Sequence, residues 1–301
     1  MFEKNCKVAV LMATFNGSRW IDAQLSSIFE QQDVQPTVYL IDDQSTDDTL
    51  AKVSDWKNLG FSIQILKSPE KKCGVPKIYF KLMELNYEED YIAFSDQDDI
   101  WNKNHLSASI LSLEKSKCAV AFSPREYIDS SGTIFGMSPK LRKPPSTANA
   151  LVENIAYGNT LVMNSEFLAK IKNQTPKYAV MHDSWIYLWG SVFGEIVRHE
   201  NVGVKYRIHK FNTVGINTKQ SFKSAILSIR GFVRQNHEFL EIFGEIDKFK
   251  VSVVCDFEKH LIEGHIWSRL KYVWKGKFYR QSFWESFLLK CLFVIRPSLF
   301  V

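Results

Sequence analysis

Three carboxylates stand within four residues at Asp96-Gln97-Asp98-Asp99, directly after the apolar run Tyr91-Ile92-Ala93-Phe94. Carboxylates this close repel one another unless something positive sits among them. A hard divalent cation, Mg²⁺ or Mn²⁺, held by one or two carboxylates and by substrate phosphate oxygens is the usual solution, which makes Asp98 and Asp96 candidate metal ligands. A solvated turn with one Asp capping the next helix reads the same residues differently, and Asp99 is the residue placed to cap. Thr14-Phe15-Asn16 and Asp42-Asp43 also follow apolar runs. A carboxylate is an acceptor-only group, so Asp42 or Asp43 would suit an N–H donor on a ligand. The run from Asp42 to Thr49 reads equally as a helix-capping box, which accounts for Ser45 through Asp48 and leaves the first two acids unexplained. Asp183, in Met181-His182-Asp183-Ser184-Trp185, could take a proton from a hydroxyl or could cap the helix it opens.

The elements that must position these residues alternate. Lys7 to Met12, Thr37 to Ile41, Phe61 to Leu66 and Tyr91 to Phe94 read as strands, with helices predicted from about Ser18, from the Asp42–Asp47 turn, over Val75 to Leu85, and from Trp101 to about Ser116. Such alternation predicts an α/β fold with a mainly parallel sheet covered on both faces, and ligands bind beyond the carboxyl ends of such strands. The three polar clusters therefore share one expected edge. Ala119 to Phe122 and Val202 to Ile208 read as later strands, Ala156 to Met163 as a turn and then a strand, and Met181 to Ser191 as a helix. From Ser221 an apolar stripe at helical spacing takes over, so the boundary falls near Lys219: residues 1–219 form one domain and 220–301 a helical, basic and aromatic C-terminal region.

Five scattered cysteines without a C-x-x-C pair exclude a disulfide framework and a structural zinc site, and fit a reducing cytoplasm. No secretion signal or membrane span is expected. The net charge of +5 resides in the tail. From His265 onward seven Lys and Arg face Glu285 alone. Interleaved with Trp267, Trp274, Phe283 and Trp284, these cations suit packing on the catalytic domain or peripheral contact with a membrane, and nucleic acid is not an expected partner.

Taken in order, Ala13-Thr14-Phe15-Asn16-Gly17, Ile41-Asp42-Asp43-Gln44-Ser45-Thr46-Asp47-Asp48-Thr49 and Ser95-Asp96-Gln97-Asp98-Asp99-Ile100-Trp101 resemble the family 2 glycosyltransferases of the GT-A fold. Gly158-Asn159-Thr160, Met181 to Trp185 and Tyr206-Arg207-Ile208-His209-Lys210-Phe211-Asn212-Thr213-Val214-Gly215 are similar to the rhamnosyltransferase-like branch of bacterial surface-polysaccharide synthesis. The resemblance implies an inverting, metal-dependent transfer of a sugar, L-rhamnose from dTDP-rhamnose, onto a glycan or lipid-linked oligosaccharide at the inner face of the cytoplasmic membrane. The alternatives are a UDP-hexose or UDP-N-acetylhexosamine donor, or a noncatalytic nucleotide-sugar-binding module. It further implies Asp98 as the principal metal ligand, with Asp96 and Gln97 nearer the ribose, Asp43 preferred on the base, and Thr14, Phe15, Asn16 and Asn159 around the donor. Asp183 becomes the catalytic base and His209 a further metal ligand. Arg207 would meet the diphosphate or an acid of the sheet, and His182 and Trp185 would line the acceptor site or pack in the core. The family commonly has an Asn near Ile78 or Tyr79, which is absent here, leaving Lys77 as the phosphate candidate of that segment.

Overall fold

The computed structural model describes residues 5–178, 180–210, 222–243 and 250–300. The chain divides into two compact units: Met1–Lys140, Ala156–Asn173 and Ile196–Ile216 form the first, and Leu141–Ile155, Gln174–Glu195 and Asn217–Val301 the second. The boundary expected near Lys219 lies outside the described residues, as does the motif from Phe211 to Gly215. Two segments placed by sequence in the first domain, Leu141–Ile155 and Gln174–Glu195, belong with the C-terminal helices.

The first unit is built on β1 (Cys6–Thr14), β2 (Val34–Asp42), β3 (Ile63–Ile65) and β4 (Tyr91–Ser95), all parallel, in a seven-stranded sheet. Val8 through Met12 are fully buried, as expected of a central parallel strand covered on both faces. β9 (Val162–Asn164) enters antiparallel between β4 and β6 (Val120–Phe122), and β10 (Ile196–Arg198) closes the edge beside β6. Helix α1 (Ile21–Phe29) buries Ile21, Leu25 and Ile28 at helical spacing. It begins after a turn in which Trp20 and Ile21 both donate to the Gly17 carbonyl. α2 (Thr49–Asn58), α3 (Val75–Met83), α4 (His105–Ser116) and α6 (Ser165–Ile171) complete this unit's helices among the described residues.

A second sheet, unforeseen in the sequence, sets the site. Its strand order is β5 (Ile100–Trp101), β11 (Val204–Arg207), β7 (Arg125–Ile128) and β8 (Ile134–Met137). β5 pairs antiparallel with β11, with Lys205 opposite Ile100. Continued by one and two residues, that register carries Asp99 and Asp98 alongside Tyr206 and Arg207. Asp99 therefore leads into a strand and does not cap a helix: α4 starts six residues later, with Asn104 at its N-cap.

The second unit is helical. α5 (Thr147–Ala150), α7 (His182–Phe193), α8 (Phe222–Phe243), α9 (Ser252–Phe257), α10 (Ile266–Trp274) and α11 (Phe283–Ile295) are its α-helices among the described residues. Trp189 of α7 meets Phe243 of α8 edge-on at 4.1 Å between ring centroids, and Ser184 donates to Gln235 of α8 at 2.8 Å.

Candidate active site

The strand ends meet as the alternation predicts. Thr14 stands opposite Asp42 in the β1–β2 register, and Met12 opposite Ser95 across β1 and β4. Thr14 donates its hydroxyl to Asp42 Oδ1 at 2.7 Å, while Asp42 Oδ2 accepts the Ser45 amide at 2.7 Å. Asp42 is thus a tie between two strand ends, with 1% of its surface exposed. Asp43 is turned elsewhere: its two oxygens accept the backbone N–H groups of Cys73 and Gly74, each at 2.8 Å, and so hold the loop that enters α3. The Cys73 thiol also bonds this carboxylate, whose remaining lone-pair capacity suits a donor such as a pyrimidine N3–H.

Phe15 and Gln97 form a reciprocal pair, in which the Phe15 amide donates to Gln97 Oε1 and Gln97 Nε2 donates to the Phe15 carbonyl, both at 2.9 Å. Gln97 therefore staples the β1 loop to the β4 loop. Asn16 sits in the left-handed region at φ 48°, which Asn tolerates better than most residues. Its amide oxygen accepts Thr46 N–H at 2.8 Å. Lys77 is exposed on the first turn of α3, and among the described residues no hydrogen bond or ion pair ties it to this cluster. Lys72 instead stands over the Phe15 ring, 3.2 Å from its centroid.

The three acids divide. Asp99 is fully buried; it accepts Arg207 N–H on Oδ1 at 2.9 Å and Asn159 Nδ2–H on Oδ2 at 2.5 Å. Burial, and after it repulsion from Asp98 and Asp96, holds the Asp99 carboxyl well above the usual carboxylate range. Asp96 receives the Tyr79 hydroxyl at 3.2 Å, a proton shared with the Ser95 carbonyl at 2.7 Å. Burial, then the charge of Asp96, pushes that phenol far up, so it remains a donor. Asp98 Oδ2 lies 2.8 Å from His209 Nε2, with both side chains largely buried. Trp20 stacks on the His209 ring at 4.1 Å and 15°.

Arg207 was expected on the diphosphate or on an acid side chain. Its guanidinium turns to the main chain, Nε to the Asp98 carbonyl at 2.8 Å and a terminal nitrogen to the carbonyls of Asp129 and Ser130 at 3.1 and 3.4 Å. It fixes the acidic loop and the β7–β8 turn. Asn159 similarly serves Asp99 and accepts from Arg125 at 3.4 Å. Arg125, which sequence reading missed, lies between the rings of Tyr157 and Tyr206, 3.7 and 4.1 Å from their centroids.

A divalent cation fits the donor set here. One carboxylate oxygen and one imidazole nitrogen, already facing each other, suit Mn²⁺ or Mg²⁺. Among the described residues no group of three or more His, Cys, Asp and Glu is arranged to hold a metal, so the remaining positions would belong to phosphate oxygens and water.

Asp183, His182 and Trp185 lie on α7 in the other unit. Met181 occupies the N-cap, so Asp183 is in the first turn and is not the cap; its Oδ1 accepts the Ser184 amide at 2.7 Å. Asp183 as a whole is 8% exposed. Burial pushes His182 down to about 3, which keeps its ring neutral. Trp185 is a core residue: fully buried, it meets Phe239 edge-on at 5.7 Å, and an acceptor-lining role does not fit.

A mainly parallel sheet with an acid pair beyond β4 and polar ties beyond β1 and β2 defines the GT-A fold of nucleotide-sugar glycosyltransferases. The structure of S. aureus TarS 1–349 in complex with UDP superposes with a TM-score of 0.59 at 15% identity, covering 84% of this chain and 71% of that one. The mannosyltransferase PcManGT from Pyrobaculum calidifontis, in complex with GDP-Man and Mn²⁺, gives 0.59 at 15%, covering 88% and 72%. The family model described as Glycosyl transferase family 2 matches residues 9–186, and the chain belongs to that family. Among relatives, the dTDP-rhamnosyl transferase RfbG of Shigella flexneri is 31% identical over 229 residues, 71% of this chain and 76% of its own length. The Escherichia coli UDP-Glc:alpha-D-GlcNAc-diphosphoundecaprenol beta-1,3-glucosyltransferase WfgD is 24% identical over 188 residues, 62% of this chain and 69% of its own. The chain is a glycosyltransferase.

Proposed function

We propose that this glycosyltransferase moves L-rhamnose from dTDP-rhamnose to a hydroxyl of a lipid-linked bacterial surface glycan, with inversion at the anomeric carbon and dependence on Mg²⁺ or Mn²⁺. The pairing of Asp98 with His209 beyond β4 carries the metal-dependent part of this reading, and the 31% identity to a dTDP-rhamnosyl transferase supports the donor. Asp43 accepts the thymine N3–H, Asp96 faces the ribose, and Thr14, Asn16 and the Phe15–Gln97 staple shape the floor beneath them. Asp98 and His209 would hold the cation, which when bound offsets the charge that the departing diphosphate acquires. The acceptor oxygen forms its bond to the anomeric carbon as the bond from that carbon to the diphosphate oxygen breaks. The hydroxyl proton passes to Asp183. The chain works at the inner face of the cytoplasmic membrane in peripheral contact with it, where a lipid-linked acceptor is found.

A UDP-hexose donor is the second reading, favoured by the similarity to a UDP-Glc-dependent enzyme. Thermal-shift titration of a donor panel with and without Mn²⁺ separates the two, since only a bound ligand raises apparent stability. Asp98→Asn is expected to abolish both the metal-dependent shift and transfer. Asp183→Asn should keep donor binding and lose at least about 10²-fold in kcat, the usual contribution of a positioned base. Normal transfer by Asp183→Asn would remove it from the role.

A further inference from the structure

α10 and α11 each carry two apolar faces, and only one is needed by the fold. On α10 Tyr272 points into the unit; on α11 Ser286, Leu289 and Phe293 do so, with Phe293 packed on Phe257, Phe278 and Phe300. The remaining apolar residues face outward. At about 100° per residue, Ile266, Trp267, Leu270 and Trp274 fall within an arc of about 100°, and Phe283, Trp284, Phe287, Leu288 and Ile295 within about 140°. Trp267 is 74% exposed, Trp274 92% and Trp284 71%. Arg269 and Lys271 flank the α10 arc on its two sides. Contiguous exposed aromatic surface of this kind marks a partner site and not ordinary surface.

Charge indicates which partner. A pocket of about 250 Å³ is lined by Arg142, Lys143, Arg280 and Lys290 together with Phe283 and Phe287, the latter two being part of the outward face of α11. Glu285 answers Arg280 at 3.1 Å. Among the described residues no carboxylate pairs with Arg142, Lys143 or Lys290, and Lys143 stands near enough to contribute, after burial, to lowering the Lys290 ammonium. Three cations that lie against aromatic rings, with no carboxylate to neutralise them, complement an anionic phosphate joined to a hydrocarbon body. No described helix is long and apolar enough to cross a membrane; α11, with 13 residues, spans about 20 Å against a hydrocarbon core of about 30 Å. It can lie in the interface.

We propose that the outward faces of α10 and α11 dock on an anionic phospholipid bilayer, with a lipid phosphate seated among Arg142, Lys143 and Lys290. This rests on the peripheral membrane contact proposed above and adds its location and its headgroup. Trp274 and Trp284 enter the headgroup layer, and the lysines set the dependence on anionic lipid.

The test is co-sedimentation of the full chain with phosphatidylcholine vesicles and with vesicles containing 30% phosphatidylglycerol, alongside the nucleotide-sugar thermal shift as a readout independent of lipid. Binding should require the anionic lipid and fall with salt. Lys143→Gln with Lys290→Gln should lower the partition coefficient about 25-fold, since each cation near an anionic surface contributes about fivefold. Trp274→Ser with Trp284→Ser should abolish sedimentation while leaving the melting midpoint and the donor shift unchanged. Undiminished binding by both double variants overturns the docking face and leaves peripheral contact standing. Equal binding to both vesicle types overturns the phosphate pocket. Failure of the wild-type chain to bind either vesicle overturns this inference and the membrane contact together, and a retained donor shift would show the donor reading intact.

Discussion

A methyl group added at Gly17 would lie 2.2 Å from Gln97 Oε1 and 2.4 Å from its Cδ, closer than any real contact. Gly17 does not adopt a positive φ, so the backbone accepts Ala there, and the clash can be relieved by swinging the Gln97 amide away. The swing breaks both hydrogen bonds of the Phe15 staple, worth together about 1–3 kcal/mol at the usual net value per bond. Against that loss, Ala in place of Gly at a permissive position stabilises by about 0.4–1 kcal/mol through the unfolded chain. Gly17→Ala should therefore range from nearly neutral to about 2.6 kcal/mol destabilising. The decisive measurement is a double-mutant cycle with Gln97→Ala by urea unfolding. In the Gln97→Ala background the obstacle is gone, and Gly17→Ala should now stabilise. The coupling should be about 1–3 kcal/mol. Donor affinity should follow the same pattern, because Phe15 and Asn16 lose the tie that holds them beside the acidic loop. If Gly17→Ala has the same effect in both backgrounds, the staple does not organise this edge, and the role given to Gln97 is wrong.

Stability should fall in mild acid for a reason visible around α4. Burial pushes His105 down to about 3 and His199 to about 4, with mutual repulsion adding to the His105 shift. Both folded values lie below the ordinary 6.5, so the contribution of the neutral rings is complete above that pH and is lost as pH drops towards 4 and 3. At pH 5 the pair removes at most about 4 kcal/mol, and His105→Leu should roughly halve the slope of urea stability against pH between 7 and 5. Trp20 stacks on His209 and so would position the proposed metal ligand from outside the ligand set. Trp20→Ala should weaken Mn²⁺ affinity, measured calorimetrically with dTDP present, by about 10- to 100-fold, and an unchanged affinity would leave the stacking without a role at the metal.

Much of this architecture was legible because β1, β2 and β4 are continuous apolar runs ending in polar clusters, and in parallel strands such ends share an edge. His209 entered only through the resemblance, as a further metal ligand, and its pairing with Asp98 across 111 residues lay beyond any local pattern. What escaped were partnerships across long sequence separations. Tyr79 on Asp96, Trp20 on His209, and Gln97 on the Phe15 backbone depend on a three-dimensional register that local patterns do not carry. The two-residue strand Ile100–Trp101 is too short to show periodicity, so Asp99 read as a helix cap. The interleaved units were hidden for a related reason. Leu141–Ile155 and Gln174–Glu195 have ordinary composition, and long-range contacts show which unit they join: Asn236 of α8 donates to the Leu151 carbonyl, and Trp185 and Trp189 pack on Phe239 of α8.

The acidic cluster solves its own repulsion by distributing the three charges among different partners. Asp99 is withdrawn from solvent and held by two N–H donors, and its neighbours' charges raise the cost of ionising it further. Asp96 accepts a hydrogen bond from the Tyr79 phenol of α3. Asp98 alone is given an imidazole, and its own main-chain carbonyl is clamped by Arg207. Because β5 and β11 are antiparallel neighbours, one strand pair delivers the Arg207 clamp, the Asp99 anchor and the His209 partner together. A slip of one residue in that register would turn every side chain to the opposite face, separating Asp98 from His209 and exposing Asp99. The second sheet is therefore the element that converts a turn rich in carboxylates into a site with a single carboxylate–imidazole pair.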